Sequence, residues 1–339
     1  MAANRSGGWG TLLENAYLRS CDYLYHSRNE LMTTKRSLLC DRLGLKSFGI
    51  CADTGLLPPL WEDADCIGGI HFNVFGLTDC LKQPPNFVFV GAGISHEQES
   101  KAARSTCDTI RWMDAALGLG EDVIYINMGS MFIWQESEFW PFVAALQNVY
   151  ALRQGKVRFL FKINKPLAAD GNADFLSHAS KTLPDYIRIT TWIDSQQSVY
   201  QHPALAAFVH HGGGNSFNEA VFYGIPQLVL SQWLDTHELA SLAEQFGIGL
   251  RSSRPPRIEK DDVQAKLLKL LSEESRDSFK IQAKAWALRS KLGGGAAAAA
   301  EIIECHASAY SPHRTLVSTP VLEKKTAFFA LPTPTVELI

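Results

Sequence analysis

Long apolar runs are missing from this chain, and none approaches the roughly 18 residues that a membrane-crossing helix requires. The opening segment, MAANRSGGWGTLLENAYLRS, holds no apolar stretch of the kind that forms the core of a secretory leader. The cytosol is therefore the expected compartment. An excess of one charge is also missing: the net charge is −3 and no extended basic block occurs, which argues against a nucleic-acid partner. Cysteines are few and scattered, seven in all, at 21, 40, 51, 66, 80, 107 and 305, with no Cys-x-x-Cys pair. That pattern excludes a disulfide framework or a zinc site and predicts free thiols, mostly buried. No other cluster has metal-ligand spacing. The single Asp-x-Asp, Asp63-Ala64-Asp65, stands far from the glycine cluster described below and is read as chance.

What is present is ordinary for a globular protein: 46% hydrophobic and 20% charged residues, over a length of 339 that suggests about two domains. From Glu121 onward, short β-branched or aromatic runs alternate with helical stretches. The predicted strands are Val123–Met128, Val157–Ile163, Tyr186–Thr191, Ala204–Val209, Pro226–Leu230 and Gly247–Arg251. Between them lie predicted helices such as Glu136–Arg153, Asn215–Tyr223 and Thr236–Gln245. Such alternation implies an α/β fold with a parallel sheet, covered on both faces and binding ligands at the carboxyl ends of its strands. Residues 1–120 read differently. Helical stretches at Trp9–Ser27 and Arg28–Leu43 precede predicted strands at Ser47–Cys51, Ile67–Phe75 and Phe87–Gly91, then a helix around Trp112-Met113. Helices continue from Glu259 to Glu304, interrupted at Gly293-Gly294-Gly295, and a Pro-containing tail begins at His306.

The segment from Trp192 to Ala240 carries the chemistry. The predicted strand ending at Val209 runs into His210-His211 and three glycines, Gly212, Gly213 and Gly214; Asn215-Ser216 then open a helix bearing Glu219. Glycines at a strand end let the backbone approach a ligand. Asn and Ser suit a helix start, and the N–H groups there suit an anion. His211 adds a hydrogen-bond donor for phosphate, while Glu219, about one turn into the helix, suits sugar hydroxyls. His210, facing the opposite way on a strand, is read as structural, so its removal is expected to leave ligand affinity unchanged.

These residues resemble the donor-binding signature of the UDP-dependent glycosyltransferases, inverting enzymes that glycosylate small lipophilic acceptors. The match runs through Trp192, Gln196, His202-Pro203, His211-x-Gly213-x-Asn215-Ser216-x-x-Glu219, Gly224-x-Pro226 and Asp235-Thr236, within 45 residues. Asp235-Thr236 in place of Asp-Gln, and Gly214 where plant members carry Trp, look closer to fungal members. The resemblance implies a two-lobed GT-B fold. Its expected parts are a partial acceptor lobe at 1–94, a linker and helix at 95–120, a complete Rossmann-like donor lobe at 121–305 and a tail at 306–339. It also implies roles. Trp192 stacks on uracil and the Ile193 backbone bonds the base edge. Gln196, with Gln197 as the alternative, meets the ribose. Ser130, His211, Gly213, Gly214, Asn215 and Ser216 serve the diphosphate, Glu219 the ribose, and Asp235 the sugar; Thr236 stands where many relatives use Gln to read that sugar.

The resemblance implies no cofactor beyond a UDP-sugar as co-substrate, and no metal is expected, because the family steadies its leaving diphosphate with a helix N-terminus and a His rather than a divalent ion. The chemistry is direct displacement by an acceptor hydroxyl. The family's catalytic His and Asp lie in a stretch of the acceptor lobe with no counterpart here, so no catalytic residue is assigned; His26, His71 and His96 are the candidates should the chain turn over. The leading expectation is a hexosyltransferase acting on a small lipophilic hydroxyl compound, with secondary metabolism as its setting. The alternative is a catalytically deficient or split-enzyme nucleotide-sugar-binding subunit, whose partner supplies the rest of the acceptor lobe. A sugar-nucleotide epimerase is a third, weaker reading, because the Trp192 and Glu219 spacing matches transferases. Vertebrate members carry a C-terminal membrane anchor that this sequence does not show.

Overall fold

The structure, a computed structural model, describes residues 69–77, 87–95, 107–164, 178–179, 181–233 and 235–309. The predicted N-terminal helices, the strand at 47–51 and the chain after 309 lie outside the described residues, as do His26 and His96. Two short strands come first, β1 (Gly69–His71) and β2 (Phe87–Phe89), paired in parallel with Gly69 opposite Phe87. The longer strand predicted over 67–75 stops at His71 because the chain turns there. The Val74 N–H bonds the Asn73 side chain at 2.7 Å, and the Leu77 N–H reaches back to the Val74 carbonyl.

Strands and helices then alternate: α1 (Asp108–Gly118), β3 (Asp122–Asn127), α2 (Glu136–Leu152), β4 (Val157–Lys162), β5 (Ile187–Thr190), α3 (Gln196–Gln201), β6 (Leu205–His210), α4 (Gly214–Tyr223), β7 (Gln227–Val229), α5 (Asp235–Gln245) and β8 (Gly249–Arg251). Strands β3 to β8 form a six-stranded sheet in the order β5-β4-β3-β6-β7-β8, with every neighbouring pair parallel. Counted within the sheet, this is the 3-2-1-4-5-6 order of a doubly wound nucleotide-binding lobe. All six strands read from the sequence are present, with ends shifted by one or two residues.

Side chains that alternate along the strands sort into separate cores. On one face Ile124, Ile126, Phe159, Phe161, Ala207 and Val209 pack with Phe142 and Leu146 of α2 and with Val263 and Leu267 of α6 (Lys260–Leu271). On the other, Val123, Tyr125, Leu160 and Phe208 meet Met113 of α1 and Val199 and Tyr200 of α3. Burial on both faces explains why these strands are continuous apolar runs rather than alternating ones. Two members of the resembled signature turn out to shape the chain here. Gly224 ends α4 in the left-handed region at φ 68°, and the Pro226 carbonyl accepts the Phe208 N–H at the start of β7.

Helix α7 (Glu273–Leu292) returns along the lobe and is anchored at both ends. Near its start Arg276 pairs with Asp122 at the beginning of β3. Near its end Ser290 Oγ accepts the Ala92 N–H at 3.2 Å, and the Gly295 N–H reaches the Val90 carbonyl at 2.7 Å. The loop after β1 is held too: Val74 and Leu77 pack with Phe217 and Val221 of α4 and Trp286 of α7. The chain divides into two units after Ala296. Of the second unit the structure describes 297–309, the main part of α8 (Gly295–Ala309), so the helix outruns the predicted tail boundary at His306.

Candidate functional site

Strand order reverses between β3 and β6, and a crevice is expected outside the carboxyl ends of strands at such a switch point. Asn127 and His210, the last residues of β3 and β6, are register partners there. Each closes the turn that follows it. Asn127 Oδ1 accepts the Gly129 N–H at 3.0 Å, and His210 Nδ1 accepts the Gly212 N–H at 3.0 Å. Both glycines sit at positive φ, 78° and 89°. Asn164 Nδ2, beyond β4, donates to the Gly129 carbonyl and steadies that turn from its other side.

His211 lies between the two turns. A Cβ on Gly129 would fall 2.4 Å from its Cε1, and one on Gly213 2.6 Å from its Nε2, so only glycine leaves room for the ring on both sides. Trp233 flanks the ring at 5.4 Å between centroids. Its Nδ1 is buried and has no hydrogen-bond partner. Burial lowers the pKa of His211 and the nearby Asp235 carboxylate partly offsets this, so neutral imidazole is favoured. Directly after it α4 begins with Gly213 as N-cap, and no side chain caps the helix. Asn215 and Ser216, expected as capping residues, sit instead inside the first turn. Their backbone N–H groups, with that of Gly214, are ones an α-helix leaves without internal partners. An added Cβ on Gly214 would meet nothing within 4 Å, so this helix start is open. Ser130 is exposed and follows Gly129 on the turn after β3.

His210 is fully buried, donates Nε2–H to Gln227 Oε1 at 2.8 Å, and stacks on Phe208. Burial pushes its pKa down to about 3. It is structural, as read from the sequence, yet it holds the Gly212 N–H. Its removal, expected to leave ligand affinity unchanged, would take the acceptor from the Gly212 N–H.

On the β5 side, Trp192 is 70% exposed while its backbone is fixed by the Thr190 hydroxyl, which donates to the Trp192 carbonyl at 2.6 Å. Ile193 faces inward to the core that holds Val199 and Phe208. A cavity of about 510 Å³ opens beside Trp192, lined also by Arg188, Thr190, Asp194 and the first turn of α1. Gln196 Oε1 accepts from Tyr125 Oη at 2.9 Å and from Asn127 Nδ2 at 2.8 Å. Gln197 contacts only Ser195 among the described hydrogen bonds, so the geometry brings Gln196, not Gln197, to the strand ends. His202 of the signature is buried and structural: Nε2 meets Asp114 of α1 at 3.1 Å and Nδ1 accepts the Ala204 N–H.

Glu219 lies on α4 and accepts the Tyr200 hydroxyl at 3.1 Å. Burial raises its pKa, opposed by that hydrogen bond. Asp235 is exposed in the first turn of α5. Thr236 is buried, and its hydroxyl accepts the N–H groups of Gln232 and Trp233 (3.1 and 2.9 Å) while donating to the Trp233 carbonyl. It shapes the loop and has no hydroxyl valence left for a sugar. His71, one of the base candidates, is exposed on β1 against Phe89. Among the described residues no group of three or more His, Cys, Asp or Glu could hold a metal, and no helix is long and apolar enough to cross a membrane. Tyr125, Asn127, Tyr200 and Trp233 are the site residues that sequence reasoning missed.

The Rossmann-like lobe thus presents an open helix start, a histidine between two glycine turns and a half-buried carboxylate on the helix that follows β6. The family model for the erythromycin biosynthesis protein CIII-like C-terminal domain matches residues 172–288. Erythritol-mannosyl-transferase 1 of Pseudozyma antarctica (strain T-34) is 34% identical over 91% of this chain, and its counterpart in Mycosarcoma maydis 34% identical over 90%. The chain spans 64% and 63% of those relatives' lengths. Among solved structures, the glycotransferase of kitacinnamycin superposes with a TM-score of 0.58 at 18% identity, over 86% of this chain and 66% of the other, a likeness of fold. The fold is of the α/β GT-B type, and the chain is similar over most of its length to glycosyltransferases.

Proposed function

We propose that this protein is a glycosyltransferase that binds a UDP-sugar at the β3/β6 switch point and passes its hexose to a hydroxyl of a small lipophilic acceptor. The observation that carries the reading is the placement of His211 between Gly129 and Gly213, at the open N-terminus of α4. A diphosphate there would accept from the N–H groups of Gly214, Asn215 and Ser216 and from His211, while Glu219 and Gln196 offer an acceptor and a donor to ribose hydroxyls. Trp192 is the exposed face for the base, and Asp235 the acid for the sugar. In the reaction the acceptor oxygen loses its proton to a general base and bonds to the anomeric carbon. The bond from that carbon to the diphosphate oxygen breaks, and the departing pair stays on the diphosphate. Donors preorganised at the helix start stabilise the growing charge without a metal. No described residue is assigned as the base.

The test is calorimetry of the intact chain with UDP and GDP, then mass spectrometry after incubation with UDP-glucose or GDP-mannose and phenols, sterols or erythritol. The mannosyl donor and erythritol are included because the fungal relatives are erythritol-mannosyl-transferases. Nucleotide binding with a glycosylated product is expected. Binding without product would favour the nucleotide-sugar-binding subunit instead, and no binding of either nucleotide would end the proposal.

A further inference from the structure

The two central strand ends hold a side-chain network that the proposed reaction does not itself require, and its polarity can be deduced atom by atom. The Gly129 N–H can only donate, so the Asn127 atom 3.0 Å from it is the carbonyl oxygen. Asn127 therefore turns its Nδ2 the other way, toward Tyr125 Oη at 3.1 Å and Gln196 at 2.8 Å. A donor on that side forces the Gln196 atom facing it to be Oε1. Tyr125, accepting from Asn127, must give its own proton to the same Oε1, at 2.9 Å. Both lone pairs of the Gln196 oxygen are then engaged, and its Nε2 is left as the end without a partner among the described residues. Tyr125 is fully buried and Asn127 nearly so, and an amide flipped against these donors would leave buried polar groups unpaired. One backbone N–H thus fixes the orientation of an amide in a different βα unit, 69 residues further along the chain.

We propose that Asn127 is a positioning residue with two tasks: it pins the Gly129 turn beside His211, and it locks the Gln196 amide so that the ligand meets a donor rather than an acceptor. The consequence is selectivity for a nucleotide whose ribose hydroxyls give their protons to Glu219 and so offer only oxygen lone pairs to Gln196, in contrast to one that lacks those hydroxyls. The inference rests on the proposed nucleotide site. It goes beyond that site by naming what sets the direction of the ribose contact.

The experiment measures the affinity of the intact chain for UDP and for 2′,3′-dideoxy-UDP, and takes the ratio of the two dissociation constants. Asn127→Asp keeps the oxygen for Gly129 and the side-chain volume but replaces the donor to Gln196 by an acceptor. Both nucleotides carry the same diphosphate, so the added negative charge cancels in the ratio. Asn127→Ala removes the donor without adding charge, leaving only the Tyr125 hydroxyl, which can donate to Oε1 or accept from Nε2, and serves should the first variant fold poorly. Each should compress the wild-type ratio by roughly threefold or more, the scale of one neutral hydrogen bond. Gln196→Ala should compress it at least as much, and adding Asn127→Asp to it should change the ratio no further. Wild-type ratios in both Asn127→Asp and Asn127→Ala, or additive losses in the double variant, overturn the inference while leaving the nucleotide site standing. Failure of the wild-type chain to bind UDP overturns the site and the inference together.

Discussion

At the scale of single residues, the signature separates into side chains proposed to meet the ligand and side chains that shape the chain around them. His211 is of the first kind: its ring is wedged between glycines and one ring nitrogen is buried without a partner. His211→Ala should weaken UDP binding by about 1.5–3 kcal/mol, the range for hydrogen bonds to charged groups, as read by calorimetry. Undiminished affinity would remove His211 from the diphosphate. Thr236 is of the second kind. Thr236→Val keeps the shape but strands two loop N–H groups, so it should destabilise the fold by about 1–3 kcal/mol in urea unfolding. A large change in sugar preference with unchanged stability would instead mean that Thr236 reads the donor directly. His211, Glu219 and the glycines were legible because they share one short stretch of sequence. Tyr125, Asn127 and Tyr200 were not, because they reach Gln196 and Glu219 through pairings that no local spacing records.

At the scale of elements, the six strands of the sheet were legible because burial on both faces makes each an apolar run, and only their ends moved. The β1 region was misjudged because its alternation of apolar and polar residues imitates a longer strand, whereas Asn73 turns the chain through its own side chain. The return of α7 to the segment after β2 had no sequence signal, since it depends on one close approach. Gly91 sits at φ 76°, and a Cβ there would fall 2.1 Å from the Ser290 carbonyl oxygen. Any side chain must push these two segments apart and strain the backbone as well. Gly91→Ala should therefore loosen the end of α7 from residues 90–95 and speed proteolytic cleavage there, while UDP affinity at the switch point stays close to wild type. Cleavage at the wild-type rate would show that this contact does not hold the segments together.

For the molecule as a whole, the site sets how stability responds to acid. His210 is held neutral, with its pKa near 3, whereas in the unfolded chain it titrates at about 6.5. Between those values the unfolded state binds the extra proton, so stability is full above about pH 6.5 and falls as the pH drops through that window. His211, whose pKa is also lowered, acts in the same direction. Glu219 acts in the opposite one: its raised pKa means that the folded state keeps a proton longer, so its cost grows as pH rises from the unfolded value to the folded one. The histidines should dominate at mild acidity, since His210 is completely enclosed and Glu219 keeps a hydrogen bond from Tyr200 in its charged form. Unfolding free energy should therefore drop by on the order of 1 kcal/mol from pH 7.5 to 5.5 on account of His210 alone. His210→Gln removes the titrating group, so its urea midpoints should vary less over that range, from a lower starting stability because the Gly212 N–H loses its acceptor. Saturating UDP should raise stability at both pH values, more in the wild type than in His211→Ala, because only the folded state carries the site. A wild-type midpoint independent of pH, or a His210→Gln protein with the full slope, would show that His210 is not the buried neutral imidazole on which the glycine turn is built.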